Sequence, residues 1–421
     1  MAIHVVQSGE SLWKISQQTG VPIHTIIPLN GLPTTTSLVP GLAIYLPDAT
    51  QQIRAYRIKP GDQIWKLAQQ FRTSETAIRT ANPGINPNHL TIGQIIQIPS
   101  PLKLQMNTLG FIVPSPGTVP EILTTIANQL TYLAVVAYSF TEEGYAYNEI
   151  DDRNLVAHCK QLNITPLLMI RNFLRGNFSA ELAGTVLGNP TYRRNLIVSI
   201  VNLTKQRGFG GVSIDFEFIP PPRRNDFNQF LRDLKRELGN LILQVNVHAK
   251  TEDLPTNRIV GAYDYAGIGR AADYVAVMTI DYGYPGGPPD PIAPITWMEE
   301  VIQYAITQIP PHKIQIAMAL YGYDKVVGTN RTQGLSVLAA QNQAISTGAP
   351  IRFDLSAQAP WYQYWRGTEQ HIVWFEDIRS YVEKYRLIDI YQLSGTTFWQ
   401  ITLPAPQNWA YLKDHIFVLK K

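Results

Sequence analysis

The 421-residue chain reads as an α/β protein: a (β/α)8 barrel with a small α+β insertion, preceded by two small βααβ modules. Two observations predict this. Gly9, Trp13, Asn30, Gly41 and Pro47 recur as Gly61, Trp65, Asn82, Gly93 and Pro99, each 52 positions on, so an internal repeat fills roughly the first hundred residues. After it, over about 310 residues, eight short apolar runs alternate with amphipathic helical stretches, a pattern that suits a closed barrel better than an open sheet. The length alone exceeds one ordinary domain.

The boundaries that follow are 1–49, 50–101 and 102–421. Each repeat opens with a short strand (His4 to Val6, Tyr56 to Ile58) and a glycine turn. An amphipathic helix comes next, then a second helical stretch into Asn30 or Asn82, and finally a strand ending at Pro47 or Pro99. So small a unit has little core, and the helical spacing of Trp13 and Trp65 predicts that both serve it.

These residues resemble the LysM module, a carbohydrate-binding unit that recognises N-acetylglucosamine in peptidoglycan or chitin. The resemblance implies that sugar lies between two loops and is held through backbone groups; by it Trp13 and Trp65 look like sugar-stacking platforms, against which their helical spacing favours the core role. One loop is Gly9, Glu10, Ser11 and Leu12, or Gly61, Asp62, Gln63 and Ile64; the other runs from Asn30 to Leu32, or from Asn82 to Ile85.

The segment SPLKLQ links the second repeat to the barrel. The eight runs are LGFIV, YLAVVAYS, ITPLLMIR, GGVSIDFEF, LILQVNVH, DYVAVMTID, KIQIAMALY and YQLSGTTFW. About 65 residues separate the last two, too many for one crossover helix, so an insertion is expected at roughly 326–371.

Composition excludes several function classes. A net charge of +3 with no basic run offers little to a nucleic-acid backbone. The start, MAIHVVQSGESLW, lacks a basic segment followed by a long apolar core, which predicts a chain made without a secretory signal. No apolar run approaches the roughly 18 residues that span a bilayer, so membrane insertion is not expected. The single cysteine, Cys159, reads as a buried structural thiol. Metal-ligand spacings, a phosphate loop and a serine nucleophile elbow are all missing, so no metal or organic cofactor is expected. A monomer is expected.

The chemistry concentrates in the fourth run. Alternation along a strand puts Ser213, Asp215 and Glu217 on one face and Ile214, Phe216 and Phe218 on the other. The acidic pair is expected at the barrel mouth, with the apolar set packed on helices. Carboxylates one pleat apart, about 7 Å at the backbone, disfavour joint ionisation, so one stays protonated near neutral pH. A protonated Glu217 is what departure of a glycosidic oxygen requires. Taken alone, the pair could equally be two strand-end carboxylates held by a basic residue or by backbone donors. His248, ending the fifth run, reads as a satisfied polar residue.

The stretch GFGGVSIDFEFI resembles the acidic signature of family-18 glycoside hydrolases, the chitinases and their relatives. Asp215 and Glu217 match its last two acidic positions, while Gly210 and Ser213 replace the first two. VMTIDYGY resembles the sixth-strand motif of the family, with Ile280 where tyrosine is usual; YGYD follows the seventh run and Trp399 lies at the eighth. Among family members the chain is most similar to LysM-bearing peptidoglycan hydrolases of spore-forming bacteria, such as the cortical fragment-lytic enzymes.

That resemblance implies substrate-assisted retention, with Glu217 as proton donor and Asp215 orienting the acetamido group whose carbonyl attacks the anomeric carbon. Asp281 would bind the acetamido group or Glu217, and Trp399 would floor the sugar pocket. Tyr282, Tyr284 or Tyr321 would stand in for the absent tyrosine, and Ser213 would line the same face. The partner implied is peptidoglycan containing N-acetylglucosamine. The implied location is the spore, at the coat–cortex boundary, after synthesis in the mother-cell cytoplasm. A noncatalytic glycan-binding barrel and a chitinase are the rival readings.

Overall fold

A computed structural model describes residues 2–33, 37–47, 52–115 and 119–421. The expected boundary between the repeats, at 49 and 50, lies outside the described residues.

Eight parallel strands close the barrel: β1 (Leu104–Ile112), β2 (Tyr132–Phe140), β3 (Thr165–Arg171), β4 (Gly211–Asp215), β5 (Ile242–His248), β6 (Tyr274–Met278), β7 (Ile314–Ala319) and β8 (Gly395–Trp399). Each pairs with its successor, and β8 returns to β1 with Thr397 opposite Leu109. The strands are apolar on both faces because both are covered. Outward residues such as Val212, Ile214 and Val245 pack under the helices, while Leu109, Phe111, Tyr132, Leu167 and Met169 fill the interior. The helices begin and end on legible signals. Asn189 caps helix Pro190–Arg207 through the Thr191 and Tyr192 amides, Pro190 starts it, and Gly208 ends it at φ 75°.

The insertion between β7 and β8 is a five-stranded antiparallel sheet with one helix, Val337–Thr347. Its outer bounds are Tyr321 and Trp374 rather than 326 and 371, because strands Tyr321–Val326 and Glu369–Trp374 pair with each other inside that sheet.

In the first repeat, strands Ala2–Val5 and Ala43–Leu46 pair antiparallel around helices Leu12–Thr19 and Ile23–Asn30. The second repeats this with Gln52–Arg57, Ile64–Gln70, Glu75–Ala81 and Ile95–Ser100. Trp13 and Trp65 are not core residues, being 64% and 47% exposed. The buried stripe of the second module is Ile64, Leu67, Ala68 and Phe71, at spacings of three and four, and Trp65 falls about 100° away from it. Ile15 plays the same part in the first module, leaving Trp13 outside.

Both modules dock on the barrel. The second does so through its first strand: the Arg54 guanidinium grips Asp389 with two nitrogens at 2.7 and 2.8 Å, and the Ala55 amide donates to the same carboxylate at 3.0 Å. Both side chains are largely buried, so removing one partner strands the other. Asp389→Ala is expected to weaken this contact by about 3 to 5 kcal/mol. The second module should then be released by limited proteolysis at a lower urea concentration than in the unchanged chain.

Candidate functional site

Strand β4 ends at Asp215, and the chain turns immediately beyond it. Glu217 is fixed there by Asn172, which follows β3: the Asn172 amide nitrogen donates to the Glu217 carbonyl and the Glu217 amide donates to the Asn172 oxygen, both at 2.8 Å. Phe216 stays buried against Phe230 under the helices. Phe218 does not follow it, contrary to the strict alternation expected. It lies past the strand end at φ 54° and is 38% exposed.

Both acids line a cavity of about 350 Å³ at the C-terminal mouth of the barrel. Trp399 and Phe111 lie together in it, ring centroids 5.5 Å apart, with Met169 beside them; Phe173 and Phe178 contribute a further apolar wall. Asp281, Ile280, Arg171, Asn246 and Thr397 are also part of the lining. A cleft of similar volume, about 370 Å³, lies between the second module and helix Ile378–Tyr391. Its lining carboxylate, Asp389, is already engaged by Arg54.

Asp215 is buried, and burial first, then the neighbouring Glu217 charge, push its carboxyl up to about 8. The hydrogen bond from Asn246, at 3.2 Å, and the Arg171 charge act in the opposite direction. Asn246 ends a chain of donors: Ser213 Oγ donates to Gln244 Oε1, Gln244 Nε2 to Asn246 Oδ1, and Asn246 Nδ2 to Asp215 Oδ1. Ser213 is fully buried and belongs to this relay rather than to the cavity wall.

Asp281 sits at φ 58° and accepts the hydroxyls of Tyr321 and Tyr323 at 2.7 and 2.8 Å. Burial raises its carboxyl above the ordinary range, while the two tyrosines oppose the shift. Tyr282 lies outside the cavity, exposed, with its ring 5.3 Å from that of Trp297. Tyr284 is exposed as well.

His248 is more than a satisfied strand-end residue. Its Nε2 lies 3.2 Å from Glu217 Oε2. Alternation could have revealed it, since Gln244, Asn246 and His248 share one face of β5. The same parity aligns Arg171 with Leu167 and Met169 on the inner face of β3, with Arg171 paired in register to Asp215. Asn172 and Tyr323, by contrast, carry no sequence signal of their function, because each acts from a loop or a separate sheet.

In the modules, Glu10 and Asp62 close the first loops by accepting the Gln7 and Lys59 amides at 2.8 and 2.7 Å. Ser11 caps its helix, and Gln63 Oε1 accepts the Trp65 indole at 2.7 Å. Gly9 and Gly61 are exposed at φ 77° and 85°, Leu12 is half-buried, and Ile64 is buried in the module core. The side chains of Asn30 and Asn82 are internal latches between the second helix and the closing strand, not free ligands for sugar.

The family model described as glycosyl hydrolases family 18 matches residues 176–403, and the LysM domain model matches 4–47 and 56–99. A cortical fragment-lytic enzyme of Bacillus anthracis is 31% identical over 100% of this chain and 99% of the relative. Among solved structures, the spore cortex-lytic enzyme of Bacillus cereus superposes with a TM-score of 0.86 at 31% identity, covering 100% of this chain and 98% of that one. A chitinase of Chromobacterium violaceum superposes with a TM-score of 0.69 at 26% identity, covering 74% of this chain and 98% of that one.

An ordinary aspartate loses its proton near pH ~4, whereas Asp215 holds its own up to about 8. Between those values the folded state binds the extra proton, so the Asp215 contribution to stability falls as pH rises through the window. Asp215→Asn removes that slope. The melting temperature of the variant, relative to the unchanged chain, is expected to climb between about pH 4.5 and about pH 8; parallel curves across the window would refute the assignment.

Proposed function

The chain belongs to the family-18 glycosyl hydrolases and carries two LysM domains ahead of its barrel, and from that premise we propose that it is a glycosidase of spore peptidoglycan, cleaving after N-acetylglucosamine. One observation carries the proposal: Asp215 and Glu217 share an apolar-walled cavity with Trp399 and Asp281, a set suited to an acetamido sugar. The flat indole and Phe111 match a pyranose face. The names of the relatives supply the spore and its cortex.

Before sugar binds, burial and the neighbouring Glu217 charge keep the proton on Asp215 near neutral pH. An acetamido N–H arriving beside Asp215 is a donor and so favours the carboxylate there, passing the proton to Glu217. Glu217 then protonates the glycosidic oxygen as the C1–O bond breaks. The acetamido carbonyl oxygen bonds to C1 on the opposite face, giving an oxazolinium ion that ionised Asp215 stabilises. Water next attacks C1 and Glu217 takes its proton, restoring the acetamido group with retained configuration.

Ile280 leaves no tyrosine hydroxyl at its position. Tyr321 and Tyr323 hold Asp281 through its Oδ1, which leaves Oδ2 to bind the acetamido group or Glu217. His248 keeps the Glu217 carboxylate oriented.

Glu217→Gln is expected to slow release of fragments from purified spore peptidoglycan by about 10² to 10⁴-fold. Mass analysis of reduced products should find N-acetylglucosamine at the new reducing ends. Equal output from the unchanged and variant chains would remove the catalytic reading. Muramic residues at the new ends would remove the bond assignment, and turnover of chitin oligomers alone would make the protein a chitinase.

A further inference from the structure

The two LysM units carry the same internal latch but stand in different surroundings. In each, the asparagine at the end of the second helix is held three times. Asn30 Nδ2 donates to the Ile26 and Tyr45 carbonyls at 2.8 and 2.9 Å, and the Tyr45 amide donates to Asn30 Oδ1 at 2.7 Å. Asn82 makes the matching set with Ile78 and Gln97 at 2.7, 2.6 and 2.8 Å. Among the described residues only the first latch is covered from outside. Gln407 Nε2 donates to Asn30 Oδ1 and Gln341 Nε2 donates to the Asn30 carbonyl, both at 2.9 Å, and Asn30 is 0% exposed.

The loop beyond the latch differs in the same sense. Gly31 abuts Leu338 and Pro406 so closely that an added Cβ would collide with both, and Leu32 is buried. At the equivalent place in the second unit Pro83 and Gly84 are exposed, and an open depression of about 410 Å³ runs along Arg79, Asn82, Gly84 and Ile85. The closing strands agree. All four residues of Ala43–Leu46 are buried, whereas Ile95 and Gln97 face out from Ile95–Ser100.

The cores tell the two apart again. Ile15, Ile26 and Ile44 of the first unit share one apolar cluster with Ala340, Ile351 and Tyr362 of the insertion, while the second unit, apart from Ala55 at its docking strand, closes on its own residues. The second also docks through its first strand, at Arg54, which leaves its 61–64 and 82–85 loops outside the contact.

We propose that the two units have parted roles: the first is a fixed bracket of the catalytic body, the second of its two sugar loops (30–32) closed by barrel and insertion although the 9–12 loop faces out, and the second unit alone offers an open edge to a glycan strand. This rests on the reading of LysM units as N-acetylglucosamine binders. The chain is then monovalent at its modules, with no avidity between them, and the glycan is led to the barrel from one fixed side.

Hydrogen exchange on the full-length Glu217→Gln chain, with and without a soluble N-acetylglucosamine oligomer, tests this. Added protection is expected in peptides covering 59–66 and 82–94, with none in 7–14. Protection at 7–14 equal to that at 59–66 overturns the proposal and leaves the glycan-binding reading standing. Protection in neither removes that reading, and the proposal with it. As an independent check, Trp65→Ala should weaken retention on insoluble peptidoglycan by about tenfold, and Trp13→Ala, although Trp13 is the more exposed of the two, by less than about twofold, because the second sugar loop of its unit is covered. Equal losses from the two variants also overturn it.

Discussion

The in-register pairing of β4 with its neighbours is the constraint on which the site depends. Ser213 lies opposite both Met169 of β3 and Gln244 of β5, and Asp215 lies opposite Arg171. Parity then aims Asp215, Asn246 and the paired Arg171 into one cavity. A slip of one residue would send these groups under the helices and bring Ile214 and Val245 inward. The outward residues Val212, Ile214 and Phe216 hold the register, since each is buried in the outer core.

That same register replaces an acidic relay with a neutral one. Where the family signature has a further acid, Ser213 feeds a Gln244–Asn246 amide chain that ends on Asp215. An amide chain donates a hydrogen bond in a fixed direction and adds no charge, so the cavity holds one fewer negative group competing for the shared proton. Burial and Glu217 are then the principal forces that keep Asp215 neutral.

Much of this was legible in the sequence, because period and repeat are local signals. The barrel, the 52-residue repeat and the Asp215–Glu217 pair follow from alternation and from spacing. The exposure of Trp13 and Trp65 was also present in the stripe Ile64, Leu67, Ala68 and Phe71, which excludes position 65, but a bulky aromatic in a small module outweighed it. His248 and Arg171 needed only the strand parity applied to Glu217. Asn172, Tyr323 and the covering of Asn30 by Gln341 and Gln407 were out of reach, for they join elements far apart in sequence.

The apolar cluster shared by the first module and the insertion has a consequence for how the chain folds as it is made. Val6, Ile26 and Leu42 emerge from the ribosome about 300 residues before Ala340, Ile351 and Tyr362, the surfaces that cover them. At about 5 to 20 residues per second that is an interval of tens of seconds. The second module, whose own apolar cluster is drawn from residues between Tyr56 and Ile98, can complete that cluster long before then. The order of folding therefore inverts the order of synthesis: the second unit closes first, and the first carries an open apolar face until the insertion arrives to cover it.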